Sequence, residues 1–148
     1  MEGCLKDETN NWRTQKMKII LDTNFLVSAV RFKVDILSGL HRICDFKYEA
    51  CVVDGTIDEL KKLIEVGKPK DRIAARISLE LLKKENIKII RTYPKNKRVK
   101  NVDLLILNLI KKGDFIVATQ DKEFKREIRK KEVQIIVLRQ KKYLKLIV

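Results

Sequence analysis

The sequence predicts an α/β fold, a central parallel sheet of about five strands with helices on both faces. Three observations carry that expectation. Five short apolar runs recur between residues 18 and 138, each bounded by polar or turn-forming residues. Stretches with helical spacing lie between them, and strands alternating with helices require right-handed crossovers that leave the strands parallel and covered on both sides. The chain of 148 residues, 45% hydrophobic, is one domain's worth, with no Gly/Ser linker, repeat or low-complexity stretch dividing it.

Residues 1–16 have no periodicity and read as a flexible arm, leaving 17–148 as the domain. The KIIL run at 18–21 is the first buried strand. Residues 24–44 carry one or two helices, and 50–53 a second strand. A helix is expected over 56–66, with Thr56 as N-cap and Glu59 three residues on completing a capping box. The next helix starts at Pro69, suited to a first turn, and runs to Lys84 with Ile73, Ile77 and Leu81 as its apolar stripe. A third strand covers 87–90. Residues 91–101 (RTYPKNKRVKN) form one long basic loop. A helix over 102–112 follows, with Val102, Leu105, Ile106 and Leu109 on one face and Gly113 in the C′ position. A fourth strand covers 115–118, a helix 121–131 and a fifth strand 134–138.

Composition narrows the function. No apolar run reaches the roughly 20 residues that span a bilayer, and residues 1–17 hold no apolar secretory segment. Cys4, Cys44 and Cys51 are an odd set without a CxxC pair. That excludes a disulfide scaffold and a four-cysteine zinc site and fits a reducing compartment, the cytoplasm. His41 is the only histidine, so no site needs two. It lies in an apolar helix, where packing or exposure outweighs a ligand role, and Cys44 and Cys51 read as small hydrophobes. Glycines are too scattered for a nucleotide-cradling loop, and no GxSxG is present. The net charge of +14 attracts polyanions, of which nucleic acid is the commonest, although a Lys/Glu-rich solvated surface produces the same excess.

In open α/β sheets ligands bind beyond the carboxyl ends of the strands. Asp22 ends the first strand. Glu59 lies in the first turn of the helix after the second. Asp103 opens the helix leading into the fourth, and Asp121 starts the helix after it. Four carboxylates from distant segments therefore converge on one sheet edge. Held together they repel, and they stay ionised only where cations neutralise them. All-oxygen ligands suit Mg²⁺ or Mn²⁺, which activate water and clamp phosphoryl groups. Glu59, Asp103 and Asp121 also suit helix caps. Asp22 is harder to explain that way, since an acid directly after an apolar strand gains nothing from burial. The helix from Asp121 carries Lys122, Lys125, Arg126, Arg129 and Lys130, with 122, 126 and 129 on one face. Lys95, Lys97, Arg98 and Lys100 lead into Asp103, and Arg139, Lys141, Lys142 and Lys145 follow the fifth strand. Basic residues from three segments around one acidic pocket favour an RNA groove. Tyr143, near the terminus, suits stacking on a base or packing on the domain.

The segments IILDTN at 19–24, TIDEL at 56–60, VDLLI at 102–106 and ATQDKEFK at 118–125 resemble, in order, the four acidic motifs of PIN-domain ribonucleases. The resemblance covers 17 to about 144. It is nearest to small archaeal PIN proteins related to the eukaryotic PIN endonuclease of small-subunit ribosomal RNA processing, through DTNFL at 22–26, FKVD at 32–35 and VLRQKKYL at 137–144. It implies a PIN-like three-layer sandwich and an endoribonuclease with Mg²⁺ or Mn²⁺ on Asp22, Glu59, Asp103 and Asp121, the catalytic acids. Thr23, Asn24 and Thr119 would orient the ligands. Leu104 stands where many PIN proteins have a second acid, which implies a lower metal affinity or rate. The implied partner is structured RNA such as a ribosomal RNA precursor, with a second copy of the chain as a further partner. A toxin-type PIN ribonuclease held by an antitoxin shares the same acids. A non-catalytic PIN-fold RNA-binding protein is the third reading, and the complete acid set counts against it.

Overall fold

The computed structural model describes residues 16–93 and 101–147. The proposed arm, apart from Lys16, and Lys95, Lys97, Arg98 and Lys100 of the basic loop lie outside the described residues. The elements are β1 (Met17–Leu21), α1 (Thr23–Arg31), α2 (Ile36–Ile43), β2 (Tyr48–Val53), α3 (Asp54–Val66), α4 (Pro69–Lys84), β3 (Lys88–Ile90), α5 (Val102–Leu109), β4 (Phe115–Ala118), α6 (Lys122–Lys130), β5 (Gln134–Arg139) and β6 (Tyr143–Ile147).

They build one six-stranded sheet of order β3-β2-β1-β4-β5-β6. The first five strands are parallel and β6 pairs antiparallel with β5. The two-fold alternation of strand side chains divides the core into two. Ile19, Leu21, Val52, Ile116 and Ile136 join the helices α1–α4 on one face. Ile20, Cys51, Val53, Val117 and Ile135 join α5 and α6 on the other. The result is the expected three-layer sandwich. Among the described residues no helix is long and apolar enough to cross a membrane.

The structure corrects four sequence expectations. First, β6 is an added strand. Its turn places Gln140 and Lys141 at φ 52° and 57°, and Lys142 N–H closes on Arg139 C=O at 2.9 Å. Two-residue hairpins normally declare themselves by Asn or Gly, and this one holds two side chains in the left-handed region, at ~1 kcal/mol or more each. Leu144, 1% exposed, holds the strand down by packing where any side chain on Gly39 would stand, 2.7 Å from a Cβ built there.

Second, α3 starts at Asp54, and Thr56 is buried inside it, its hydroxyl unpartnered among the described residues. There is no capping box. Asp54 instead accepts from its neighbour Gly55 N–H and from Thr92 N–H, Thr92 O–H and Tyr93 N–H, tying α3 to the end of β3.

Third, the inward face of α4 is Ala74, Ala75, Ser78 and Leu82, while Ile73 and Ile77 are 58% and 46% exposed. Small residues let α4 lie close against α1 and α3, and that proximity decides the rotation of the helix.

Fourth, α5 ends at Leu109, and Gly113, at φ +89°, serves the turn before β4 instead.

Candidate active site

Strand order reverses between β1 and β4, so the chain leaves these neighbours toward opposite halves of the sheet. Such a switch point leaves a crevice at the carboxyl ends of the strands. Asp22 N–H bonds Ala118 C=O at 3.0 Å, which continues the β1–β4 ladder up to that crevice.

Asp22 is 3% exposed. Its Oδ1 accepts from Thr23 N–H at 2.9 Å and its Oδ2 from Thr119 O–H at 2.8 Å. Burial pushes its pKa up to about 7. The Thr119 and Thr23 hydrogen bonds oppose that rise, and the charges of Asp103 and Glu59 add to it. Thr119 is fully buried. Its hydroxyl also accepts from Asp121 N–H at 3.2 Å and lies 3.4 Å from Asn24 Oδ1, linking the β1 and β4 ends of the site. Gln120 bonds both N–H and C=O of Leu138, extending the β4–β5 pairing with a side chain. Thr23 O–H donates to Glu59 Oε1 at 2.5 Å, which orients the α3 acid toward the α1 N-terminus. Asp103 is half-buried. Burial, then the charges of Asp121 and Glu59, push its carboxyl up. Asp121 is the α6 N-cap, accepting from Glu123 and Phe124 N–H.

All four acids line one groove of about 610 Å³ between α1 and α3. Three of the four shape local structure as well: Asp22 and Asp121 cap helices, and Asp103 sits in the first turn of α5. The capping reading and the ligand reading therefore describe the same side chains. As placed, no three Asp, Glu, His or Cys side chains among the described residues close into a set that alone holds an ion. Leu104 is 49% exposed. The α6 cations flank the groove without lining it. Lys125 is pushed down by partial burial and by the positive charges of Arg129, Arg139 and Lys122, with Asp121 opposing. The end of β5 thus brings Arg139 to the α6 cluster.

Sequence reading missed the groove's remaining wall. Val27, Ser28 and Arg31 follow Asn24 at i+3, i+4 and i+7, as Lys62, Leu63 and Val66 follow Glu59, and these six line it as well. Helical spacing counted from Asn24 and from Glu59 would have found them. Nothing local would have found Asp71 of α4, which meets Arg31 at 3.7 Å.

A parallel sheet with a switch-point groove and an acid at each contributing segment defines a class, and the comparisons agree with it. Residues 19–141 match the family described as PIN like domain, and the chain belongs to that nuclease family. Among its relatives is Ribonuclease VapC4 of Methanocaldococcus jannaschii, 32% identical over 85% of this chain and 93% of the relative. Another is the rRNA-processing protein fcf1 of Schizosaccharomyces pombe, 30% identical over 76% of this chain. This chain spans only 53% of that protein's length. Among solved structures, that of the PIN domain endonuclease Utp24 superposes with a TM-score of 0.69 at 27% identity, covering 87% of this chain and 90% of that one.

Proposed function

We propose that this protein is a metal-dependent endoribonuclease that hydrolyses RNA phosphodiester bonds at Asp22, Glu59, Asp103 and Asp121. The observation that carries the reading is the meeting of these four carboxylates in one groove, with Asp22 buried there beside two like charges. An acid kept at about pH 7 by burial and repulsion loses that penalty when a cation sits beside it. The all-oxygen donor set fits Mg²⁺ or Mn²⁺. Mg²⁺ keeps several waters and takes one or two carboxylates directly, so it needs no closed cage of three side chains. When bound, such an ion supplies a Lewis acid and a water of lowered pKa.

The chain's own residues do the rest. Thr119 and the Thr23 N–H hold both Asp22 oxygens, and Thr23 O–H aims Glu59. Asn24, exposed at the rim, accepts weakly from Thr119 and Gln120 and keeps its amide N–H groups for substrate. Lys122, Lys125, Arg126 and Arg129, with Arg139, attract the phosphate backbone without reading bases. Lys97, Arg98 and Lys100 supply a second basic approach in this reading.

The substrate is a structured RNA. The fcf1 relative's name makes a ribosomal RNA precursor the first to test. One observation favours a second reading. VapC4 aligns with this chain over 127 residues at 32% identity, against 112 residues at 30% for the fcf1 relative, so a toxin-type ribonuclease with an antitoxin partner is the competing assignment. In both readings the protein acts on cytoplasmic RNA, and self-association is a separate measurement.

The test is cleavage of a structured RNA with Mg²⁺, Mn²⁺ or EDTA, using wild type and Asp22→Asn. Cleavage that requires metal and disappears in the variant is expected. Equal cleavage by both, in ribonuclease-free preparations, refutes the assignment. An effect confined to ribosomal precursor supports the first substrate, and indiscriminate cleavage silenced by a neighbouring gene's product supports the second reading.

A further inference from the structure

Outside the acid groove, two turns that share no sequence neighbourhood meet at one exposed aromatic ring. Phe32 is the C-cap of α1 and stays 38% exposed. The residue after it, Lys33, has φ 57°, and the chain turns back with Val34 N–H on Ala29 C=O at 2.8 Å. From the other side comes the β5–β6 turn, with Gln140 and Lys141 also at positive φ. Lys141 Nζ lies 5.0 Å from the Phe32 ring centroid, and the Arg31 guanidinium lies 5.8 Å from it.

Three residues in the left-handed backbone region thus lie in the two turns that meet at this ring, and Lys141 and Arg31 bring cations to it. Left-handed non-glycine residues persist where surrounding structure over-determines them, and they concentrate at binding sites. Of the acids near these turns one is engaged away from the ring, and the other holds Arg31 until a phosphate takes its place. Asp35 caps α2 through Ser38, and Asp71 pairs with Arg31. Arg31 itself lines the acid groove, so the ring and the proposed cleavage site share a wall residue. A part-exposed ring with cations over it, continuous with a groove for a polyanion, matches single-stranded nucleic acid: a base takes the place of the cations on the ring, and they turn to its phosphates.

We propose that Phe32 is a base-stacking platform for single-stranded RNA, holding a nucleotide beyond the acid groove while Arg31 and Lys141 contact the adjoining phosphates. The inference rests on the RNA-hydrolase reading above and adds the strand's exit path and the nature of its anchor.

The test measures binding without metal, so cleavage does not enter. Fluorescence anisotropy compares a labelled oligouridylate of about 10 nucleotides, within the span of common single-strand sites, with an abasic backbone of equal length and charge. Wild type should prefer the base-bearing probe. Phe32→Ala should weaken its binding by about 5- to 100-fold, the scale of one lost base–aromatic stack, and erase the preference over the abasic probe. Phe32→Leu keeps apolar volume without a π-face and should behave like Phe32→Ala, which separates stacking from folding. In a Trp12→Phe background, Phe32→Trp should retain the preference, and its indole fluorescence should be quenched by the base-bearing probe. Lys141→Ala should lower the salt dependence by about 0.7 in log–log slope, one phosphate contact's worth on a single strand, with the preference kept. Phe32→Ala and Phe32→Leu proteins that bind both probes as wild type does overturn the platform and leave the nuclease reading standing. A wild type that binds neither probe, or both equally, also overturns the platform, while the nuclease reading is decided separately by the metal-dependent cleavage of structured RNA.

Discussion

Replacing Asp22 with Asn in metal-free protein should make the fold more stable at pH 8 and leave it unchanged at pH 4. The folded-state carboxyl, at about 7, lies above its ordinary value of 3.8, so the folded chain holds that proton more tightly than the unfolded chain. Stability is therefore full below 3.8, falls as pH rises through about 7, and stays low above it. Moving a carboxyl pKa from 3.8 to about 7 corresponds to a ceiling of ~4 kcal/mol. Relaxation and water entry into the open groove reduce that, and about 2 kcal/mol is expected. The carboxamide suits the site: its oxygen still accepts from Thr23 N–H, and its N–H₂ donates to Thr119 Oγ1, whose own proton turns toward Asn24 Oδ1. Urea denaturation followed by circular dichroism, in EDTA at pH 4, 6 and 8, reads the effect as a midpoint difference of about 1 M for a slope near 2 kcal/mol/M. Mg²⁺ at about 100 times its Kd should stabilise wild type by ~2.7 kcal/mol and the variant by far less. A wild type whose stability is flat from pH 4 to 8, with an Asn variant no more stable at pH 8, would refute the argument that Asp22 is buried against its own charge.

Other perturbations follow from particular contacts. Thr119→Val leaves Asp22 Oδ2 without its side-chain donor and Asp121 N–H without its acceptor. It should cost ~1–3 kcal/mol and move the pH transition of Asp22 upward, since that hydrogen bond lowers its pKa; the carboxyl carbon shift of Asp22 against pH checks both. Gly39→Ala sets a methyl 2.7 Å from Leu144 Cδ1 and should destabilise by ~1–3 kcal/mol, with hydrogen exchange fastest in β6 if the strand is what gives way. Lys122, Arg126 and Arg129 replaced together by Ala should reduce the salt slope of single-stranded RNA binding by about 2 with base preference unchanged. An unmoved slope would mean these cations only keep the surface soluble.

Much of this architecture was legible in the sequence, because the deciding signals are local. Apolar runs at 18–21 and 115–118 can only be buried strands, and the crossovers between them force a parallel sheet. The acids could be placed at its carboxyl edge for the same reason: Asp22 follows a strand directly and Asp121 opens the helix after one, so chain direction alone locates them. The β6 hairpin was not legible, because Gln140 and Lys141 carry none of the turn chemistry that marks one, and Leu144 declares itself only once Gly39 is opposite. Nor was the rotation of α4 legible: Ile73 and Ile77 outrank Ala74 and Ala75 in hydrophobicity, yet close approach to α1 and α3 rewards small side chains.

The sequence by itself determined the layer order, the strand direction and the residues available for chemistry. Periodicity and chain direction are properties of neighbouring residues, so those conclusions needed no tertiary contact. The tertiary structure alone decided that Thr23 orients Glu59 across 36 positions, that Thr119 serves Asp22 and Asp121 together, and that Arg31 and Lys141 meet over Phe32. Each of these depends on a distance between segments remote in sequence, which is set by how two packed helices and a twisted sheet come to rest and by no residue's own preference.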